Sequence, residues 1–280
     1  MCTTCGCGNP HSHTHVDENG NIVTHTHAHD HEHGSHHDHD HHHDHDHDHD
    51  HGHDAAAQGA TRTVAVGMDI LARNNKIAQG NRAWFAANRI LALNFVSSPG
   101  SGKTELLCAT VRAKPDNAPE ILVIEGDQQT DNDAARIRET GARAIQINTG
   151  KGCHLEAEQV ALALKQSEPA PSSLVFIENV GNLVCPAEFD LGEAHKVVVI
   201  SVTEGEDKPL KYPDMFAAAD LMIVNKIDLA PYVKFDIDKC EEYARRVNPS
   251  IRSIRMSAVT GEGMQKWWAW LSANITITQI

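Results

Sequence analysis

Residues 97–104 read Ser97-Ser98-Pro99-Gly100-Ser101-Gly102-Lys103-Thr104. An apolar strand candidate at 92–97 leads into this stretch and a helix candidate at 102–113 follows it, which is the context of a phosphate-binding loop. Glycines let backbone N–H groups turn toward phosphate oxygens, and a helix N-terminus favours negative charge. We expect Gly100, Ser101 and Gly102 to surround the phosphates, Lys103 to reach the β- and γ-phosphates, and Thr104 to ligate Mg²⁺.

Around this loop, short apolar runs alternate with helical stretches. The strand candidates are 92–97, 121–125, 144–147, 174–178, 197–202, 221–225 and 252–256. The helix candidates are 102–113, 131–140, 154–166, 209–219, 234–247 and 262–273, and a further helical face is indicated by Ile70, Ile77, Trp84 and Leu91. Strands that are apolar throughout are buried on both faces. The pattern predicts an α/β fold of the P-loop NTPase type, with a mostly parallel, seven-stranded sheet and helices on both faces.

The first 54 residues have a different composition from the rest of the chain. They hold 11 of the 38 acidic residues, 19 of the 21 histidines and no Lys or Arg. Such a segment buries too little apolar surface to offset its ordering entropy. We therefore expect a Cys-rich motif at 1–7, a disordered His/Asp-rich tract at 8–54, a linker at 55–60 and one domain at 61–280.

Charge and composition exclude several classes of protein. The remaining 226 residues carry 27 acidic and 24 basic side chains, so no basic footprint for nucleic acid is present. No apolar run approaches the length of a membrane span, and the N-terminus does not resemble a secretory signal. Seven cysteines, three of them at the very start, do not form a disulfide framework. A reducing cytoplasm is the expected location.

The segment Asn225-Lys226-Ile227-Asp228 follows an apolar strand candidate and indicates guanine recognition. An Asp at this place can accept hydrogen bonds from guanine N1–H and the exocyclic amine, which adenine does not offer as a pair. The Lys226 stem can pack on the base. Ser257 and Ala258, after the last strand candidate, resemble a further guanine-contacting loop. With the phosphate-binding loop, this makes 61–280 a candidate GTPase domain that uses GTP, GDP and Mg²⁺.

Two acidic residues at strand ends are candidates for magnesium and catalysis. Glu178 begins Glu-Asn-Val-Gly, where GTPases usually have Asp-x-x-Gly, and its longer side chain can reach the Mg²⁺ shell through water. Asp127 could join that shell, orient the attacking water, or serve as a loop or cap residue. With Lys103, these two residues form the candidate catalytic set. No arginine is identified as a charge-stabilising group, so we expect slow turnover.

Cys153, His154 and Cys185 are candidate ligands for a transition metal. The first two precede a helix candidate, and Cys185 lies on the segment expected to sense the γ-phosphate. Two thiolates and an imidazole suit Zn²⁺ or Ni²⁺. Three ligands leave the site incomplete, so we expect a homodimer that shares the metal. Alternatively, these cysteines are inert buried thiols, as we expect for Cys108 and Cys240.

The N-terminal residues offer further metal ligands. Cys2, Cys5 and Cys7 can chelate one soft or borderline cation, and a retained Met1 amine would give a set suited to Ni²⁺. A redox-active or zinc-scavenging tail is the alternative. The histidines between residues 8 and 54 suit weak, multiple binding of Ni²⁺ or Zn²⁺.

Taken together, these motifs resemble the hydrogenase nickel-insertion GTPases, the HypB family, which is related to the urease accessory GTPases. The resemblance covers residues 1–7 and about 61–280, and it includes the forms at Ser97 and Glu178 that depart from the general GTPase pattern. It implies a cytoplasmic GTPase that dimerises with GTP bound and works with the chaperone HypA to place nickel in the large subunit of [NiFe]-hydrogenase. It also implies a tight nickel site at Cys2, Cys5 and Cys7, and a domain metal site at Cys153, His154 and Cys185.

Three other functions stay open from the sequence. The chain could store nickel or zinc, with an incidental nucleotide site. It could serve urease or cobalamin enzymes instead of hydrogenase. It could also be a GTPase switch that binds no metal.

Overall fold

The computed structural model describes residues 12–16, 22–26, 54–127 and 132–280. The strands in these ranges are β1 (Ser12–Val16), β2 (Ile22–Thr26), β3 (Leu91–Ser97), β4 (Ile121–Asp127), β5 (Arg143–Asn148), β6 (Leu174–Gly181), β7 (His195–Ser201), β8 (Leu221–Asn225) and β9 (Arg252–Arg255). The helices are α1 (Asp54–Ala87), α2 (Lys103–Arg112), α3 (Asn132–Glu139), α4 (Ala157–Ser167), α5 (Cys185–Glu188), α6 (Lys208–Lys211), α7 (Pro213–Ala218), α8 (Ile237–Val247) and α9 (Met264–Thr278). A 3₁₀ helix spans Ile227–Tyr232. None of the helices in this part of the chain combines the length and apolar content of a membrane span.

The strands form one sheet in the order β1-β2-β5-β4-β6-β3-β7-β8-β9. All neighbouring strands run parallel except β1 and β2, which are antiparallel. The predicted α/β fold with a mostly parallel sheet is confirmed, and each of the seven predicted strands is present. The largest difference in a strand boundary is at β6, which continues to Gly181.

Helices cover both faces of the sheet, and the central strands are therefore buried on both sides. Along β3, Leu91, Leu93 and Phe95 face the side covered by α2 and α9, where Phe95 meets the edges of Phe176 and Trp267 at centroid distances of 5.3 and 6.1 Å. Side chains on the opposite face of the sheet pack against α1 and α4 near one edge and against α7 and α8 near the other. This three-layer packing places the carboxyl ends of the parallel strands along one edge of the molecule.

The sheet has nine strands where seven were predicted, and eleven residues of the tract predicted to be disordered, 8–54, lie in strands or a helix: residues 12–16, 22–26 and Asp54. Ser12–Val16 and Ile22–Thr26 form a hairpin that adds β2 to the exposed edge of β5, with Ile22 aligned with Ile147. The physical reason is that Ile22 is fully buried against that edge, whose backbone groups would otherwise lack partners within the sheet. The rest of the tract lies outside the described residues.

Helix α1 also differs from the prediction. It begins at Asp54 and so includes residues 55–60, which were predicted to be a linker, while Leu91 belongs to β3. Its buried face is polar in part, because Asn81 Nδ2 donates to the carbonyls of Ala157 and Leu191 at 2.8 and 3.0 Å. Gly192, at φ 91°, allows this approach, since a Cβ there would lie 2.6 Å from the Ala78 carbonyl oxygen. The residues with the apolar spacing are less buried than this face, because Ile70 and Ile77 are half-buried and Trp84 is exposed.

Candidate nucleotide and metal site

The loop between β3 and α2 has the backbone shape that its glycines make possible. Gly100 and Gly102 adopt φ values of 74° and 90°, which other residues rarely adopt. Lys103, the first residue of α2, is buried, and its Nζ donates to Ser97 Oγ at 2.6 Å. Burial lowers the Lys103 pKa, although nearby carboxylates, Glu178 first among them, oppose that effect. The ammonium group therefore lies at the base of the loop.

Thr104 and Glu178 meet next to this loop. Thr104 Oγ1 donates to Glu178 Oε1 at 2.8 Å, which joins the first turn of α2 to β6. Burial raises the pKa of Glu178 to about 7, although the Lys103 charge and the Thr104 hydrogen bond act in the opposite direction. The other carboxyl oxygen, Oε2, is buried and has no hydrogen-bond partner among the described residues. Two of the three predicted magnesium ligands are thus in contact, and the third, Asp127, lines the same cleft of about 640 Å³.

Four charged residues that the sequence motifs did not single out also line this cleft, namely Glu105, Glu125, Asp133 and Arg136. Glu125 on β4 lies opposite Glu178 on β6 in the strand register. Burial, followed by the charge of Glu178, raises its pKa to about 9. Arg136 on α3 pairs with Glu105 at 2.6 Å and with Asp133 at 3.3 Å. The alternation of Glu125 and Asp127 at the end of β4 could have indicated that both side chains share one face, whereas Arg136 reaches the cleft only through the packing of α3 on α2.

The predicted guanine-binding residues converge on the other side of the phosphate-binding loop. Asn225 Nδ2 donates to the Ser101 carbonyl at 3.0 Å, and its Oδ1 accepts from the Ala258 N–H at 3.1 Å. Lys226 Nζ donates to the Gly100 carbonyl at 2.7 Å. One amide side chain therefore ties the phosphate loop to the loop after β9.

Asp228 is the member of this group with an unmet hydrogen-bond requirement. Its Oδ1 is buried but accepts no hydrogen bond from the part of the chain that the structure describes. A buried carboxylate oxygen without a donor is costly, so this atom fits a ligand that brings N–H groups. Ser257 lies beside the same loop, where its Oγ accepts from the Thr260 N–H at 3.1 Å.

Cys153, His154 and Cys185 form a cluster beyond the phosphate side of the cleft. One potential ligand atom from each lies within 4.8 Å of the others. Cys153 Sγ is 2.7 Å from Cys185 Sγ and 3.6 Å from His154 Nδ1. Burial lowers the His154 pKa to about 4, so its ring is neutral at pH 7 and can act as a ligand. Its Nε2 is buried without a hydrogen-bond partner among the described residues.

A short segment connects the cluster to the phosphate-binding loop. Gly181 at the end of β6 packs so closely on the loop that a Cβ there would lie 3.0 Å from Pro99 Cα. Four residues later the chain reaches Cys185, the first residue of α5. Between them, Asn182 Nδ2 donates to the Cys153 carbonyl at 3.3 Å. The segment 178–185 therefore contacts the phosphate-binding loop, contacts Cys153 and ends at Cys185.

The other cysteines fall into two groups. Cys108 and Cys240 are fully buried in the core, and burial raises the pKa of both thiols, to about 12 for Cys240. A protonated, enclosed thiol is a poor ligand. Cys2, Cys5 and Cys7 lie outside the described residues, as do most of the predicted tract histidines.

Known proteins are similar to this chain in sequence and in fold. Residues 91–255 match the family described as CobW/HypB/UreG, nucleotide-binding domain. Hydrogenase maturation factor HypB of Rhizobium leguminosarum bv. viciae is 63% identical over 213 residues, which cover 76% of this chain and 71% of that protein. The crystal structure of hydrogenase maturation factor HypB from Archaeoglobus fulgidus is similar with a TM-score of 0.68 at 38% identity, covering 73% of this chain and 99% of that one. HypB from Helicobacter pylori in complex with nickel is similar with a TM-score of 0.68 at 36% identity, covering 73% and 95%.

The buried acid Glu125 makes stability depend on pH in the nucleotide-free protein. Its pKa is about 9 in the folded state against an ordinary value of 4.5. Between these values the unfolded chain binds fewer protons than the native state, so the free energy of unfolding falls as pH rises. We predict that Glu125→Gln makes this decline shallower.

The measurement is the urea midpoint between about pH 5 and 9, with the exposed Glu139→Gln as the matched control. The control should keep the slope of the unaltered protein. Equal slopes for Glu125→Gln and the unaltered protein would show that the buried carboxyl does not titrate in this way.

Proposed function

The chain belongs to the HypB family of hydrogenase maturation factors, within the CobW/HypB/UreG nucleotide-binding domains, and from that membership we propose that it is a GTP-hydrolysing nickel chaperone. In this proposal it hydrolyses GTP to GDP and phosphate and thereby gates nickel insertion into the large subunit of [NiFe]-hydrogenase. Its ligand thiols must stay reduced, which favours action in the cytoplasm.

One observation carries the proposal. Glu178 accepts a hydrogen bond from Thr104, the residue after the phosphate-binding lysine, and Cys185 lies seven residues further along the same segment. A rearrangement at the γ-phosphate that moves Glu178 or Gly181 would therefore be felt at the thiol cluster. Metal affinity can depend on the bound nucleotide only if the GTP-bound and GDP-bound states of the protein differ in their contacts at the metal site.

On the phosphate side, this chain's own residues would bind and orient GTP. Lys103 would neutralise charge on the β- and γ-phosphates, and the backbone N–H groups of residues 100–104 would donate to the same oxygens. Thr104 Oγ1, Asp127 and Glu178 Oε2, which has no hydrogen-bond partner in the described ranges, fit an Mg²⁺ ion, because hard cations prefer oxygen ligands. Magnesium supplies charge neutralisation at the phosphate that leaves. Asp127 or Glu178 would orient the attacking water.

On the base side, Asp228 would accept hydrogen bonds from guanine N1–H and the exocyclic amine. Asn225 holds the loop with Ala258 against the phosphate loop, which sets the distance between base and phosphate recognition. The Lys226 stem would pack on the base. This arrangement selects GTP and GDP over adenine nucleotides.

Nickel is the cargo in this proposal, and the domain cluster is one place that holds it. The donor set of Cys153, His154 and Cys185 suits Ni²⁺ and also Zn²⁺. Because three ligands leave the coordination incomplete, we propose that a second copy of the chain joins when GTP is bound. Cys2, Cys5 and Cys7 would form a separate tight site, and HypA would be the partner chaperone.

Guanine selection is tested by Asp228→Asn. The change replaces an acceptor of two N–H groups by a side chain that can donate to a base carbonyl. Each lost hydrogen bond to a charged group is worth about 1.5–3 kcal/mol, so GTP affinity should fall roughly 100-fold or more. Affinity for xanthosine triphosphate, which has a carbonyl in place of the amine, should rise. Fluorescence titration with both nucleotides measures this, and unchanged preference for GTP would argue against the assigned role of Asp228.

Coupling is tested by nickel titration of full-length protein in which Cys2, Cys5 and Cys7 are alanine. Titrations compare the protein loaded with GDP and with a non-hydrolysable GTP analogue. Sulfur-to-nickel charge-transfer absorption reports thiolate ligands alone, so the histidine tract does not contribute to it. We expect affinities that differ by about 5- to 150-fold between the two states.

The Cys153→Ala/Cys185→Ala variant, which removes both thiols of the cluster, should abolish the absorption band, while Cys240→Ala, which removes a buried thiol outside the cluster, should preserve it. The same affinity in both nucleotide states would refute coupling. In cells, replacement of the histidines between residues 27 and 53 by serine, which keeps the β1–β2 hairpin, should leave hydrogenase maturation intact when nickel is ample, whereas a storage protein would lose its function.

A further inference from the structure

We propose that a buried polar network of Asn179, Asn94, Glu193 and Lys196 positions the two metal-binding segments relative to each other and so sets metal affinity. The network lies beneath the thiol cluster on three neighbouring strands and the loop before β7. This inference rests on the proposed metal site, which it deepens by naming the residues that hold its geometry. The four act as positioning residues, since they do not belong to the predicted ligand set.

The strand register places three members of the network side by side. Asn94 on β3 aligns with Lys196 on β7 and with Ile177 on β6, two residues before Asn179. Asn179 Nδ2 donates to Asn94 Oδ1 at 3.3 Å, and Asn94 Nδ2 donates to Glu193 Oε1 at 3.0 Å. All four residues are at least nine-tenths buried. The contacts therefore form a continuous buried chain across β6, β3 and β7.

One end of the network binds the segment that carries Cys153 and His154. Asn179 Oδ1 accepts from the N–H of Leu155 at 3.0 Å and from the N–H of Val180 at 3.1 Å. The Leu155 N–H belongs to the peptide group that directly follows His154. Because Asn179 follows Glu178 in the chain, this end is also adjacent to the Thr104 contact.

The other end binds the helix that begins at Cys185. Lys196 Nζ donates to the carbonyls of Pro186, Ala187 and Phe189 at 2.8, 3.3 and 3.5 Å. Glu193 Oε1 is 3.9 Å from the same ammonium group, and Glu193 Oε2 accepts from the Leu191 N–H at 2.7 Å. Pro186 directly follows Cys185. Each end of the network thus holds a residue adjacent in sequence to a ligand.

A buried ion pair is a costly way to stabilise a fold, since well-packed apolar residues often serve equally well. It can instead fix one arrangement, because every buried polar atom must keep its partner. Here the carbonyls at and just beyond the end of a four-residue helix accept hydrogen bonds from the Lys196 ammonium group, which an apolar side chain would not supply. Outer-shell contacts of this kind commonly change metal affinity by about 10- to 100-fold when removed.

The test uses full-length protein with alanine at Cys2, Cys5 and Cys7 as the reference. Lys196→Met removes the donors while keeping the length of the side chain, and Lys239→Met is the matched control at an exposed lysine. Glu193→Gln/Lys196→Met removes both charges, so it avoids leaving an unpaired buried carboxylate if the single variant does not fold. Ni²⁺ affinity is measured by competition with a chelator, together with the charge-transfer band, the thermal midpoint and GTP affinity.

Both network variants should bind Ni²⁺ about 10- to 100-fold more weakly, with a shifted charge-transfer band and unchanged GTP affinity. The Lys239→Met control should match the reference. If a folded Lys196→Met, or the double variant in its place, keeps the reference affinity and band, the network is only structural and the proposal is wrong. If the reference itself shows no thiolate band, the proposed metal site fails and this inference fails with it.

Discussion

The hydrogen bond from Thr104 Oγ1 to Glu178 Oε1 joins the start of α2 to β6, and the rest of the site is arranged around this contact. It exists because β3 and β6 are parallel neighbours whose carboxyl ends meet at one edge of the sheet. On one side of it, Asn225 ties the phosphate loop to the loop that contains Ala258. On the other side, the end of β6 continues to Cys185. A single strand end therefore lies between a phosphate-binding loop and a thiol cluster.

The same edge concentrates buried charge. Glu125 and Glu178 face each other across β4 and β6, and burial raises both pKa values, to about 9 and about 7. Lys103 is buried beside them with a lowered pKa. Groups held in this way cost stability in the empty cleft and suit a ligand that brings both cationic and anionic charge. In the proposed function, that ligand is a guanine nucleotide with its magnesium ion.

Sequence patterns predicted the elements whose signals are local. The phosphate-binding loop and the apolar strands depend on neighbouring residues, so their positions could be predicted. Cys153 and Cys185 were grouped by residue type, and the structure brings them together across 32 positions. The buried face of α1 combines the apolar Ala78 and Phe85 with Asn74 and Asn81, which donate hydrogen bonds to carbonyls, so the spacing of apolar residues alone did not indicate it. The positions of Glu125, Asn94 and Lys196 relative to the site depend on strand register, which a single sequence does not specify.

The most direct measurement is nickel K-edge X-ray absorption on full-length protein with alanine at Cys2, Cys5 and Cys7. Spectra are compared for the GDP state and the GTP-analogue state, each with Mg²⁺. If the segment 178–185 links the phosphate to the cluster, the number of sulfur ligands or the nickel–sulfur distance will differ between the two states. Identical sulfur coordination in both states would contradict the link between phosphate and metal.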